Sequence, residues 1–299
     1  KDVLDVVIVR YQLSFPIPSG ILDPYSISVE ADMNSSNPEE TVHLNVAGAI
    51  ATITLARPHL RNALDRKTMK SLIQVALDVS DRDDVRAVVI AAEGADFSVG
   101  ADLKEVQGME SDGSLLRARR DAELGRKLLN SIREIHQPTV CALQGIATGG
   151  GACIAAACDF RIAASGARIG LGEVKVGMNL MWNALPLFVE LVGLSRAKQM
   201  IMSGTLYSVD QLEIWGLIDQ QCTQEDLFAT AMAWAQRYAD LPPVAVQMIK
   251  RSVNQYALAL SESVMHMDHD QWILAARSED FRESISAFID KRPAKLTGR

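Results

Sequence analysis

The chain has 299 residues, 48% hydrophobic and 22% charged, which is enough material for a sizeable core in one large or two modest domains. Its net charge of −7 argues against a nucleic-acid partner, because phosphate backbones call for a basic surface, and no apolar run reaches the length of a membrane span. Cys141, Cys153, Cys158 and Cys222 form no CxxC pair and no metal-ligand spacing, so they read as reduced, mostly buried thiols in a cytoplasmic setting.

Residues 1–40 read as an extension and linker. No basic stretch leads into an apolar core, so a secretory signal is not expected, and the segment is too acidic for a transit peptide. "VLDVVIVRYQLSF" is apolar enough to pack on something; "MNSSNPEE" is polar and turn-rich. Regular patterning then begins. "HLNVAGAIATITLARP" predicts two short strands around Ala47 and Gly48. Asp65 is placed to cap a helix whose apolar stripe is Met69, Leu72, Ile73, Ala76 and Leu77. "RAVVIAAEG" predicts a buried strand ending at a glycine turn. Leu124, Leu128, Ile132 and Ile135 mark a second helix, stopped before Pro138. "TVCALQG" is another buried strand, and "FRIAAS" and "ARIGL" are two more. Helical patterns dominate from about Asn183. Strand–helix alternation followed by helices predicts an α/β core with a helical C-terminal part.

Two predicted strands end in glycine turns that lead toward helices, "FSVGADLKE" (97–105) and "ATGGGACIA" (147–155). N–H groups at a helix start have no intrahelical partner, and glycine lets a ligand approach the backbone. Two such turns side by side would aim two N–H groups at one oxygen, the arrangement of an oxyanion hole. Tight turns and close packing account for the same glycines equally well. Other motifs are absent: there is no P-loop, no Rossmann glycine triplet and no nucleophile elbow. "HMDHD" (266–270) puts two histidines three apart beside acids; it reads as a solvated helix face in preference to a metal site.

The chain resembles the crotonase superfamily, the enoyl-CoA hydratase/isomerase group, from about residue 43 to its C-terminus. The matching pieces stand in family order: "TITLARPHLRNAL", "FSVGADLKEV", "GIATGGGACIAAACDFRIAA", "ARIGLGEVKVGM", "LSRAKQMIMSG" and "ESISAFIDKRPAK". The resemblance implies an α/β fold, a spiral of ββα units over residues 41–195, and a helical trimerisation region over 196–299. It implies an acyl-CoA thioester as substrate and partner, a homotrimer or homohexamer, and no cofactor or metal. Position by position, it gives Ala101 and Gly150 as the oxyanion-hole donors and Glu173 as the acid/base. It places His59, Leu60, Arg61, Asp102, Leu103 and Lys104 against the CoA moiety, and Phe288 and Lys291 over the adenine. Without the resemblance, Glu173 reads as a surface or capping carboxylate, and Arg61, Lys104 and Lys291 as solubilising charges.

The chain departs from the hydratase pattern at one position. Hydratases carry a second glutamate three residues past the middle glycine, and here that residue is Cys153. Dienoyl-CoA isomerases place acids there and eight residues after the glutamate, where this chain has Met181. The pattern resembles single-glutamate enoyl-CoA isomerases, in which one carboxylate moves a proton from C2 to C4. Single-glutamate relatives acting on phenylpropenoyl-CoA keep a hydratase/lyase reading open, and a non-catalytic acyl-CoA binder is a third. Cys153 is either a small buried filler or, at a helix start, a nucleophilic thiol. Met181 and Trp182, in "MNLMWNALPLF", either line an acyl pocket for a broad or aromatic group or pack within a helix.

Overall fold

In the computed structural model, which describes residues 40–102, 105 and 114–299, a β-hairpin opens a six-stranded sheet. Its strands are β1 (Val42–Ala47), β2 (Ile50–Leu55), β3 (Ala87–Ala92), β4 (Thr139–Leu143), β6 (Phe160–Ala164) and β9 (Gln220–Cys222), in the order β1-β2-β3-β4-β6-β9. β1 and β2 run antiparallel, with Ala47 opposite Ile50 across a turn at Gly48, whose φ is +60°. All other pairs in this sheet are parallel. A second, three-stranded sheet holds β5 (Ile146–Thr148), β7 (Arg168–Gly170) and β8 (Leu206–Ser208). From β4 to β7 consecutive strands alternate between the sheets: β4 joins the large one and β5 the small one, then β6 and β7 repeat the step.

Eleven helices appear among the described residues: α1 (Arg66–Ser80), α2 (Leu115–Arg133), α3 (Gly150–Ala157), α4 (Leu185–Val192), α5 (Leu194–Ser203), α6 (Val209–Trp215), α7 (Leu227–Ala239), α8 (Pro243–Ala257), α9 (Ser261–Met265), α10 (Asp268–Ala276) and α11 (Glu279–Ile289). None is long and apolar enough to cross a membrane. The central strands are largely apolar because both faces of the large sheet are covered. Val88, Ile90, Cys141 and Leu143 point to the side of α1, α2 and α3. Val89, Val140, Ala142 and Ile162 point to the other, where Ala231, Ala235 and Ala239 of α7 let the helix approach closely.

Asp65 caps α1, accepting the Thr68 N–H at 2.7 Å, and its other oxygen lies 3.0 Å from Arg57 Nη1. The buried stripe of α1 is Met69, Leu72, Ala76 and Val79. Leu77, counted in that stripe from spacing, is exposed, because it sits about 100° around the helix from Ala76. Ile135 is buried as expected but lies beyond the end of α2. β5, β8 and β9 escape sequence patterning: three residues are too few to show a period of two. The proposed extension over residues 1–40 falls, except for Glu40, outside the described residues. α8 buries none of its residues and shows Val244, Met248, Ile249, Val253 and Tyr256 to the surroundings.

Asp65→Ala is expected to lower stability by about 1–2 kcal/mol, as loss of an N-cap does, and Asp65→Asn to recover most of it. The urea midpoint at fixed protein concentration reads this directly.

Candidate active site

The loop after β2 sets the first wall. Arg61 and Asn62 adopt left-handed backbone angles, φ 53° and 54°. Buried Asn62 holds them by donating to the Glu93 and Asp96 carbonyls at 2.8 and 2.9 Å and accepting the Arg57 N–H at 2.8 Å. This fixes Leu64 beside the turn at residues 98–102. Leu64 N–H donates to Gly100 O at 2.8 Å, and Asp102 N–H donates to Leu64 O at 3.1 Å. On the turn's other side Ser98 N–H donates to Ile146 O, and Thr148 N–H to Ser98 O, at 3.1 and 3.0 Å. The first glycine turn is therefore laced between a loop and strand β5.

β5 leads straight into the second glycine turn. Gly100 has φ +85°, and a Cβ there would lie 2.7 Å from Thr148 O and 3.0 Å from Gly150 N. Gly149 has φ +54°, and a Cβ there would lie 3.3 Å from Glu173 Oε1. The two turns thus touch through bare backbone, with Glu173 beside them. Among the described hydrogen bonds, neither the Ala101 nor the Gly150 N–H donates to a protein group. Gly150 opens α3, so its N–H is one of the helix's unpaired donors.

Glu173 begins a 3-10 turn, Glu173–Val176, directly after β7. Part of the residue remains accessible, but its Oε2 is sealed without a hydrogen-bond partner among the described residues. Burial pushes its carboxyl up from 4.5 to about 7, against a smaller lowering by its own backbone N–H. Cys153 stands in the first turn of α3, fully buried. Desolvation first, then the nearby Glu173 and Asp268 charges, push its thiol well above the ordinary range. A thiol held protonated in this way is a poor nucleophile.

A cavity of about 670 Å³ joins these groups. Its walls include Ala101, Gly150, Cys153 and Glu173, and also Arg61, Asp102, Met181, Trp182 and Phe288. Most of the lining is apolar; Met178 belongs to the stretch expected to line a pocket, whereas Met69, Leu124 and Trp272 were not foreseen there from sequence. His59 and Leu60 are exposed on the preceding 3-10 turn, Pro58–Leu60, and Lys291 is exposed past α11; none of the three is on the wall. Arg61 donates to Asp96 at 2.6 Å and holds that carboxyl below its usual range. Leu103 and Lys104 lie outside the described residues.

Other acids on the wall have partners. Asp121 accepts from Arg66 Nη2 and Glu105 from the Arg66 N–H, both at 2.8 Å, and Asp102 lies 3.9 Å from Arg57. Glu173 makes no ion pair among the described residues. The reading of "HMDHD" as a solvated face needs correction. His266 and Asp270 are exposed, but Asp268 is 5% exposed and its Oδ2 accepts the Asn183 N–H at 2.9 Å. Helix α10 packs this one carboxylate inward, which the run of alternating charges conceals. Among the described residues no three His, Cys, Asp or Glu side chains gather as a metal site.

The family described as enoyl-CoA hydratase/isomerase matches residues 45–299. A short-chain-enoyl-CoA hydratase of Clostridium acetobutylicum is 30% identical over 252 residues, covering 84% of this chain and 95% of that protein. A 1,2-epoxyphenylacetyl-CoA isomerase of Escherichia coli is 28% identical over 261 residues, covering 87% of this chain and 99% of that protein. The crystal structure of an enoyl-CoA hydratase/isomerase from Pseudoalteromonas atlantica superposes with a TM-score of 0.77 at 24% identity, over 86% of this chain and 100% of that one, a likeness of fold.

The raised carboxyl makes stability depend on pH with a definite sign. Folding binds the Glu173 proton more tightly, so this contribution is fully present below about 4.5 and is lost as pH rises through about 7. At pH 8.5 the buried charge costs roughly 3 kcal/mol. Glu173→Gln removes that cost. Its unfolding midpoint is expected above wild type at pH 8.5, with the gap closing by pH 5; an equal gap at both would refute the burial argument.

Proposed function

The chain belongs to the enoyl-CoA hydratase/isomerase family, and from that premise we propose that it shifts the double bond of an enoyl-CoA thioester with Glu173 as its one base. The thioester carbonyl takes hydrogen bonds from the Ala101 and Gly150 N–H groups. Polarisation acidifies C2, and the Glu173 carboxylate removes a proton there from a 3-enoyl thioester. The resulting dienolate carries its charge on the carbonyl oxygen, against the two donors, where each is worth about 3 kcal/mol. Glu173, now protonated, returns the proton to C4, and the double bond comes to rest between C2 and C3. Proton and charge balance without a cofactor or metal, so a chelator is expected to leave the rate unchanged.

One observation carries this reading: Glu173 has no ion pair among the described residues and lies against Gly149, while the wall position of a second acid is held by a protonated thiol. A carboxyl near pH 7 is matched to taking up and returning a proton at neutral pH. Syn-hydration wants one group to activate water and another to deliver the α-proton. The hydratase among the relatives supports the competing reading, in which Glu173 alone activates water. A phenylpropenoyl-CoA hydratase/lyase is a variant of it. A non-catalytic binder would have no use for a buried, uncompensated carboxylate.

Product analysis with trans-3-enoyl-CoA and trans-2-enoyl-CoA thioesters separates these. The expected result is isomerisation of the first and slow or no hydration of the second, with the rate rising as pH passes about 7. Equal rates would overturn the single-base reading, and no turnover of either would leave the binder. Glu173→Gln is expected to lower kcat by about 10³-fold while thioester affinity persists. Cys153→Ala is expected to keep the rate within its order of magnitude, whereas Cys153→Glu, restoring a carboxylate pair, is expected to gain hydration.

The uncovered apolar stripe of α8 supports a second proposal, assembly through the C-terminal helices into a trimer or a hexamer. Light scattering at micromolar protein is expected to give a multiple of three; a monomer would contradict it.

A further inference from the structure

Trp182 stands in the cavity wall in a conformation that its own residue type does not favour. Trp182 and Asn183 have φ 67° and 58°, two successive non-glycine residues in the left-handed region. Each such residue carries a backbone cost that its surroundings must offset. A turn hydrogen bond, Ala184 N–H to Met181 O at 3.2 Å, offsets part of that cost, and one carboxylate offsets more of it. Asp268 Oδ2 accepts the Asn183 N–H at 2.9 Å, and the Trp182 amide faces the same group. Asp268 is buried, and it comes from a helix 85 residues further along the chain.

That helix is itself held on two sides. Arg119 of α2 donates to Asp270 Oδ1 at 2.8 Å, and Trp272 Nε1 donates to Met178 Sδ at 3.2 Å, at the start of the segment that carries Trp182. The indole then lies across two glycines. Its five-membered ring overlaps the place where Gly125 of α2 would carry a Cβ, and the edge of its six-membered ring overlaps that of Gly150. The ring therefore spans from α2 to the residue whose N–H opens α3, directly beside the two glycine turns. Any side chain at 125 would displace it.

We propose that Asp268 is a positioning residue that locks Trp182 as a rigid aromatic wall of the cavity, and that this wall selects flat, conjugated or aromatic acyl groups over flexible saturated chains. The proposal rests on the reading that the cavity takes an acyl thioester. A flat group beside the thioester lies along the indole and gains aromatic contact beyond its area. A saturated chain loses rotamer freedom when it is confined by a wall that cannot move. Asp268 touches no reacting atom in this scheme. It acts through the backbone of Trp182 and Asn183.

Binding of phenylacetyl-CoA and octanoyl-CoA tests this, because the two acyl groups have equal carbon counts and neither carries the double bond on which the proposed reaction acts. By titration calorimetry, wild type is expected to hold phenylacetyl-CoA about fivefold tighter. Trp182→Ala and Asp268→Ala are each expected to abolish that preference, and the double variant to lose no more than either. Asp268→Asn, whose amide oxygen still accepts an N–H, is expected to retain it, a rescue that loss of general stability would not give. Gly125→Ala approaches from the other side: it favours the helix but pushes the indole away, so the preference is expected to fall there too. If Asp268→Ala does not fold, Gly125→Ala decides. A wild type without preference overturns the wall. A preference kept in Asp268→Ala, or in Gly125→Ala, overturns the lock. Failure of wild type to bind either thioester strikes instead at the acyl-thioester reading itself.

Discussion

Two chain turns can share a point in space only if neither fills it with a side chain, and the site depends on that constraint at Gly100, which faces the second turn from Thr148 to Gly150. A Cβ on Gly100 would lie 2.7 Å from Thr148 O, closer than real Cβ atoms tolerate against backbone, and 3.0 Å from Gly150 N. The contact draws in everything around it. Ser98 and Leu64 tie the first turn to β5 and to the loop after β2, and Gly149 N–H donates to Gly170 O at 3.1 Å, tying the second to β7. β7 in turn delivers Glu173 three residues later. Both sheets and the α1 loop are thereby committed to one small region of backbone.

Electrostatics then separates one acid from the rest. The wall carries several carboxylates, yet Asp121 accepts from the Arg66 side chain, Glu105 accepts from the Arg66 N–H, and Asp102 lies 3.9 Å from Arg57. Glu173 faces Gly149 and the buried Cys153 thiol, which provide neither positive charge nor an N–H. Desolvation outweighs the lowering by its own backbone N–H, and its carboxyl rises to about 7. A group in that state changes protonation with little free-energy difference near neutral pH, which is the property a proton shuttle needs. The same absence of partners is a stability cost carried by the surrounding core.

The C-terminal helices are more than a platform. α10 reaches back to the segment after Glu173 and holds it by backbone hydrogen bonding to Asp268. α11 brings Phe288 to the cavity wall and packs Phe281 and Ile285 against Val176 of the 3-10 turn that Glu173 begins. The cavity is therefore assembled from residues between Arg61 and Phe288, nearly the whole described chain.

Much of this was legible in the residues themselves. The apolar runs at 87–92 and 139–143, the cap at Asp65 and the glycine turns are local signals, written by backbone sterics and by burial on both sheet faces. The family likeness placed Ala101, Gly150, Cys153 and Glu173 in order, and the fold brings those four to one cavity. Other features have no local signature. Three-residue strands show no periodicity, so β5 and β8 of the second sheet stayed hidden and only β7 was legible. Asp268 sits in a charged run that looks solvated and is buried only because α10 packs against α2 and the 178–183 segment. Whether a tryptophan lines a pocket or fills a core depends on what faces it, and Gly125, which makes room for Trp182, lies 57 residues away in an unremarkable helix. Sequence determines which groups are present and which local shapes they favour. Only the tertiary structure decides which of them lose water together, and a carboxylate's proton affinity and an indole's position are set by that loss.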